Sequence, residues 1–187
     1  MKVLKSFLIL SIAIFGFSFV NVEARGLSDF GETTQQDAQQ IEKKVFKEIL
    51  KLPYYGLFDS IGFEVDGSTV VLHGKVYNAV NRKSAERRVE DIEGVTNVVN
   101  NIEVLPLSSF DNSIRRSIVR EFAGGGSLYR YLQGVNPSVR IIVDNGHVSL
   151  EGFVANRGDS RLANILANVP GTFSVTNNLV VTKEYPN

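Results

Sequence analysis

The chain opens on apolar positions that follow neither a helix nor a strand period. Ser6 to Val20 is nearly all apolar (Phe7, Leu8, Ile9, Leu10, Ile12, Ile14, Phe15, Phe17, Phe19), after Lys2 and Lys5 and ahead of Val22-Glu23-Ala24. A basic start, an apolar core of about 15 residues and a small residue at its end predict a secretory signal peptide cut after Ala24. A membrane span needs about 20 residues. Beyond this segment the pattern becomes periodic. Ala38, Ile41, Val45 and Ile49, with Phe46 and Leu50, form one apolar stripe and predict a helix from Asp37 to Lys51. Strands are expected at about 61–66 and 139–144. Each is followed by a tight turn (Asp66-Gly67, Asn145-Gly146) and an alternating return strand: Val70, Leu72, Gly74, Val76 and Val148, Leu150, Gly152, Val154. Helices are predicted over Val80–Ile92 and Asp159–Val169, closed by Gly94 and Gly171 at the usual C-terminal position. Last strands run to Val104 and Val181. A second early helix carries Ile114, Ile118 and Phe122, with Asp111 as its N-cap.

These elements come in two copies. Residues 63–78 align with 141–156 at an offset of 78, and 94–104 with 171–181 at an offset of 77; 12 of the 39 positions in 143–181 are identical. The identities sit where strand and turn geometry is set, which marks a tandem duplication. One gap reconciles the offsets. Placed at 79–84, it pairs Ala85, Val89 and Ile92 with Leu162, Leu166 and Val169. The fold class is therefore α+β: two tandem α-β-β-α-β units, each a three-stranded mixed sheet with two helices on one face. A helical crossover makes the last strand parallel to its partner. The expected division is a signal peptide at 1–24, an N-terminal linker at 25–36, domains at 37–106 and 111–184, and a short break at 107–110.

The hairpin block Val65-Asp66-Gly67 to Val76 and the closing block Gly94-Val95 to Ile102, each with its second copy, resemble the BON domain, a family of bacterial cell-envelope modules. A signal peptide followed by two such domains is similar to the OsmY-like layout of periplasmic osmotic-stress proteins. The resemblance implies a periplasmic location and non-catalytic, stress-protective or chaperone-like binding to anionic phospholipid surfaces or envelope proteins. It implies no cofactor. A structural adaptor of an envelope assembly is the alternative, and an enzyme using an inter-domain cleft the remaining one.

Composition narrows the chemistry. The 187 residues include no cysteine and two histidines. Disulfides, thiol nucleophiles, Cys-based zinc sites and the lipidated cysteine of related envelope lipoproteins are excluded. Lys+Arg and Asp+Glu both total 20. Cleavage after Ala24 would leave 163 residues with 18 positive and 19 negative charges. Neither balance gives a broad field for nucleic acid, and an anionic surface would have to be met by a local patch. His73 has Glu151 as its counterpart, and His147 has Thr69. Neither belongs to a metal or catalytic motif. Gly124-Gly125-Gly126-Ser127 follows a helix and lacks G-K-[ST], so it predicts a mobile loop rather than a phosphate cradle. Arg82, Lys83, Arg87 and Arg88 crowd one helix. Interleaved acids predict Arg82–Glu86 and Arg87–Asp91 pairs and a solvated face.

The candidate membrane or partner contacts are aromatic: Tyr54, Tyr55 and Phe58 in the first helix-to-strand connection, and Tyr129, Arg130, Tyr131 and Leu132 in the second. Tyrosine suits a wet interface; the alternative, favoured for most of these residues, is that they pack over the sheet and fill the helix-to-strand connection. Gly74, Gly152, Gly94, Gly171, Asn100 and Asn177 are assigned to structure. Each Asn lies on the apolar side of a last strand and is expected to bond nearby backbone.

Overall fold

The computed structural model describes residues 29–124 and 126–182. The predicted signal peptide and the first four residues of the predicted linker fall outside them.

Domain 1 runs α1 (Asp29–Leu50), β1 (Ser60–Asp66), β2 (Thr69–Val76), α2 (Ala79–Glu90) and β3 (Asn97–Val104). Domain 2 repeats it as α3 (Ser109–Gly124), a short 3-10 turn (Tyr129–Leu132), β4 (Val139–Asp144), β5 (His147–Val154), α4 (Arg157–Leu166) and β6 (Ser174–Val181). Each sheet places its second strand in the centre, antiparallel to the first and parallel to the third. α1 starts at Asp29, eight residues ahead of the expected position, so it takes in residues assigned by sequence to a linker.

One apolar core fills each domain. Ile41, Val45 and Ile49 of α1 and Ala85 and Val89 of α2 close over Val70, Leu72, Val76 and Ile102. Ile114, Ile118 and Phe122 of α3 and Ala163 of α4 close over Ile141, Val143, Val148 and Leu150. Burying such side chains is worth about 1.5–3 kcal/mol each, which supplies the stability that no disulfide can.

Several local expectations change. Asp111 does not cap α3. Ser108 does, its hydroxyl accepting from the Asp111 amide at 3.1 Å. Asp111 is fully buried, and its two carboxylate oxygens accept from the amides of Asn145 (3.1 Å) and Gly146 (2.8 Å). It therefore ties the helix start to the β4–β5 turn. Gly94 and Gly171 do not end the helices, whose C-caps are Asp91 and Ala167. Each is the third residue of a four-residue turn (Val95 N–H to Ile92 O, Thr172 N–H to Val169 O) with φ near +95°. This is the position that glycine suits. The duplication gap also moves. Asn78 and Asn156 both cap their helices, and the fully buried pairs are Ala85 with Ala163 and Val89 with Ala167. The offset of 78 thus holds through the helix, and the gap lies beyond it. Leu162 and Leu166 are only half-buried, because alanine-sized residues occupy the closest approach to the sheet.

Candidate functional site

The two aromatic segments occupy matching places in sequence but do different work. Leu128 is buried in the domain 2 core, and Leu132 packs half-buried against it. Tyr131 is buried. Its hydroxyl donates to Asp159 at 2.5 Å and accepts from the Ala155 amide at 3.0 Å. Arg130 covers the Tyr131 ring at 4.8 Å and pairs with the same carboxylate at 2.5 Å. Ser127 and Asn156 also donate to Asp159. Burial pushes the Asp159 carboxyl upward, but hydrogen bonds from Tyr131, Arg130 and Ser127 outweigh it and hold the group below its usual range. This segment is a lid on the domain 2 core. Only the Tyr129 ring and the Arg130 side chain are left to solvent.

The first segment is the joint between the domains. Tyr54 is exposed, whereas Tyr55 and Phe58 are half-buried. Arg140 of β4 lies over the Tyr55 ring at 4.4 Å and donates to the Gly56 carbonyl at 2.5 Å. The Leu57 carbonyl accepts from the Ile141 amide at 2.8 Å. Arg115 of α3, 1% exposed, reaches the Tyr77 ring at 4.9 Å and the Phe58 ring at 6.0 Å. It donates to the Val143 carbonyl and to Asn112. Burial lowers the pKa of both arginines, and guanidinium remains charged regardless. Lys75 completes the joint by pairing with Asp144 at 2.5 Å. Asp59 is buried and accepts from the amides of Gly56 and Tyr77. Burial raises its pKa despite those bonds.

Sequence reading missed the two clamping arginines. Only the burial of β4 left a signal: Ile141-Ile142-Val143 is continuously apolar where the first copy alternates as Phe63-Glu64-Val65. A continuous run indicates a strand buried on both faces. β4 is indeed buried from Val139 to Val143, while β1 is half-buried.

Between the sheets, Ser60, Gly62, His73 and Lys75 face Ile142, Ser149 and Glu151 across a cleft of about 380 Å³. The His73 ring lies over Gly62, where a Cβ would come within 2.4 Å of its Nε2. Among the described residues, no side-chain hydrogen bond links His73 to a base or a nucleophile, and no group of His and carboxylates is arranged to hold a metal. His147 bonds Ser174 at 2.8 Å. The expected Arg82–Glu86 and Arg87–Asp91 pairs do not form among the described residues. Glu86 instead accepts from Asn100 of β3, and the neighbouring Arg88 reaches across to Glu48 of α1 at 2.9 Å. Gly125 lies outside the described residues. Asn100 donates to the Arg82 carbonyl and accepts from the Ile102 amide; Asn177 does the same with Ser160 and Leu179. Gly74 and Gly152 bring their backbones against the carbonyls of Ser60 and Ser138.

The BON domain matches residues 37–106 and again 111–183. The chain belongs to the BON-domain family. BON domains are in general non-catalytic binding modules. Among solved structures, the C-terminal domain of CdsD, the structural protein of the type III secretion system of Chlamydia trachomatis, is similar at 12% identity with a TM-score of 0.29, covering 75% of this chain and 96% of that one. A second structure of CdsD is similar at 11% identity with a TM-score of 0.30, covering 76% and 92%. No curated protein matches the sequence.

Proposed function

We propose that this tandem BON protein is exported and binds, without catalysis, to phospholipid surfaces or proteins of the bacterial envelope. Membership of the BON family with both copies intact carries the reading. The distribution of exposed apolar side chains supports it. They stand on loops and at a helix start: Tyr54, Phe110, Tyr129 and Phe173 are each 45–70% exposed. The two tyrosines, apolar in body and polar at the tip, suit reversible attachment to a wet interface. The roles of Tyr131 and Leu132 as lid residues, and of Tyr55 and Phe58 as joint residues, leave Tyr129, Arg130 and Tyr54 as the contact candidates.

The test is co-sedimentation of the mature protein with anionic and neutral liposomes over a salt series. Tyr54→Ser with Tyr129→Ser, both at exposed positions, is expected to weaken binding at least threefold with unchanged thermal stability. Binding that falls with salt assigns anionic lipid. Binding to neither liposome would move the reading to envelope proteins, and wild-type affinity in the variant would remove these two tyrosines from the surface.

A further inference from the structure

The two domains differ at one matching place. In domain 2, the rings of Phe110 and Phe173 lie 5.9 Å apart over the β4–β5 turn and the turn that precedes β6. A Cβ added to Gly146 would come within 2.6 Å of the Phe173 ring, and one added to Gly171 within 3.2 Å of the Phe110 ring. The backbone beneath is the same in domain 1. Thr96 bonds Ser68 (N–H to carbonyl, 2.9 Å) as Phe173 bonds Gly146 (2.8 Å), and Gly94 and Gly171 have φ of +96° and +95°. Among the described residues, domain 1 has no ring here. Thr96 stands where Phe173 does, and its hydroxyl bonds the Ser68 hydroxyl at 2.7 Å. An open groove of about 520 Å³ remains, lined by Gln40, Ile41, Lys44, Gly67, Ser68 and Gly94, with Glu93 at its rim.

We propose that this groove binds a protein segment presenting an aromatic side chain, seated over Gly94 and against Ile41 as the domain 2 rings sit over Gly171 and near Ile114. The second copy of the fold shows what the site accepts. In domain 2, a Cβ on Gly171 would lie 3.2 Å from the Phe110 ring and 3.6 Å from Ile114, so ring and isoleucine flank the same glycine. In domain 1 the Ile41 side chain lies 3.3 Å from where a Gly94 Cβ would be, so glycine backbone and one apolar side chain meet at the floor. The rim does not favour a charged ligand, because Lys44 and Glu93 lie 3.8 Å apart and offset each other. A second copy of this chain is the weaker occupant, since Phe110 and Phe173 already cover their own domain's turns. The inference does not depend on lipid attachment.

The probe is the octapeptide copying residues 169–176, Val-Pro-Gly-Thr-Phe-Ser-Val-Thr, added to the isotope-labelled mature protein and followed by NMR. Millimolar affinity is the scale a single seated side chain can give. Shifts are expected at the amides of Gly67, Ser68 and Gly94 and at the Ile41 methyls, at least five times weaker with the peptide carrying Ala for Phe. Thr96→Phe fills the groove from within and is expected to abolish them. Phe110→Asp with Phe173→Thr opens the domain 2 counterpart and is expected to create new shifts at Gly146 and Gly171. Equal shifts from both peptides, or none in wild type, would overturn the proposal without needing either variant to fold. So would the same amides responding to protein concentration alone, or to phosphatidylglycerol bicelles in place of peptide. Failure here leaves liposome binding untouched, so the two readings stand or fall separately.

Discussion

Three buried carboxylates show how a residue's neighbours decide its work. Asp111 uses both oxygens on two successive turn amides. Asp111→Asn can accept only one of them and turns an NH2 toward the other. The expected loss is about 2–3 kcal/mol in urea unfolding. Asp159 and Asp59 should titrate in opposite directions. Hydrogen bonds from Tyr131 and Arg130 depress Asp159, while burial raises Asp59. A depressed acid contributes stability that is present above its unfolded value of about 3.9 and is lost as pH falls through the folded one. A raised acid does the reverse: in the window above the unfolded value the folded state holds the extra proton, so its contribution improves as pH falls through the folded value. Carboxyl NMR should place the Asp159 midpoint below and the Asp59 midpoint above the ordinary range. Tyr131→Phe should move Asp159 up toward that range and leave Asp59 alone. Equal midpoints would refute the assignment. None of the three was legible as a buried acid in sequence. Asp111 looked like a cap because capping is a local signal, and the amides it serves lie more than thirty residues away.

At the scale of elements the repeat was readable because strand alternation and turn glycines are local. Gly74 and Gly152 are the sharpest case. Both hold φ above +100°, and a Cβ would stand 2.2 Å from the Ser60 carbonyl oxygen or 2.1 Å from that of Ser138. Strain of about 1–3 kcal/mol adds to a clash with backbone that has no room to yield. Gly152→Ala is therefore expected to lower the melting temperature by at least 8 °C, on the scale of about 2–4 °C per kcal/mol, as read by circular dichroism. The helices were placed less well. Their gap was misassigned because leucines look more core-like than alanines. The closest helix-to-sheet approach selects small side chains, and only packing reveals where that approach falls.

At the scale of the molecule, the cation-and-ring contacts of the joint use residues the duplication does not share. Arg140 stands opposite Gly62 of the first copy and Ile142 opposite Glu64, while Tyr77 has Ala155 as its counterpart. Arg115 and Arg140 each contribute a cation over an aromatic face, worth about 0.5–2 kcal/mol, and each also satisfies a carbonyl. Because the two partners differ, the contact joins one domain 1 to one domain 2 and does not propagate between like units. Arg115→Ala with Arg140→Ala is expected to uncouple the halves, so that one calorimetric transition becomes two with the domain 1 sheet intact. A single shifted transition would show that the backbone bond and Lys75–Asp144 suffice.

Sequence alone determined the class of fold, the order of elements, the duplication and the absence of thiol chemistry. These follow from periodicity, turn residues and counts, all of which are local or compositional. Tertiary structure alone decided which tyrosines are buried, that Arg115 and Arg140 clamp the two domains, and that a groove lies open in one copy where rings cover the other. Each of those depends on which distant side chains meet, and on solvent being excluded between them, which no spacing along the chain encodes.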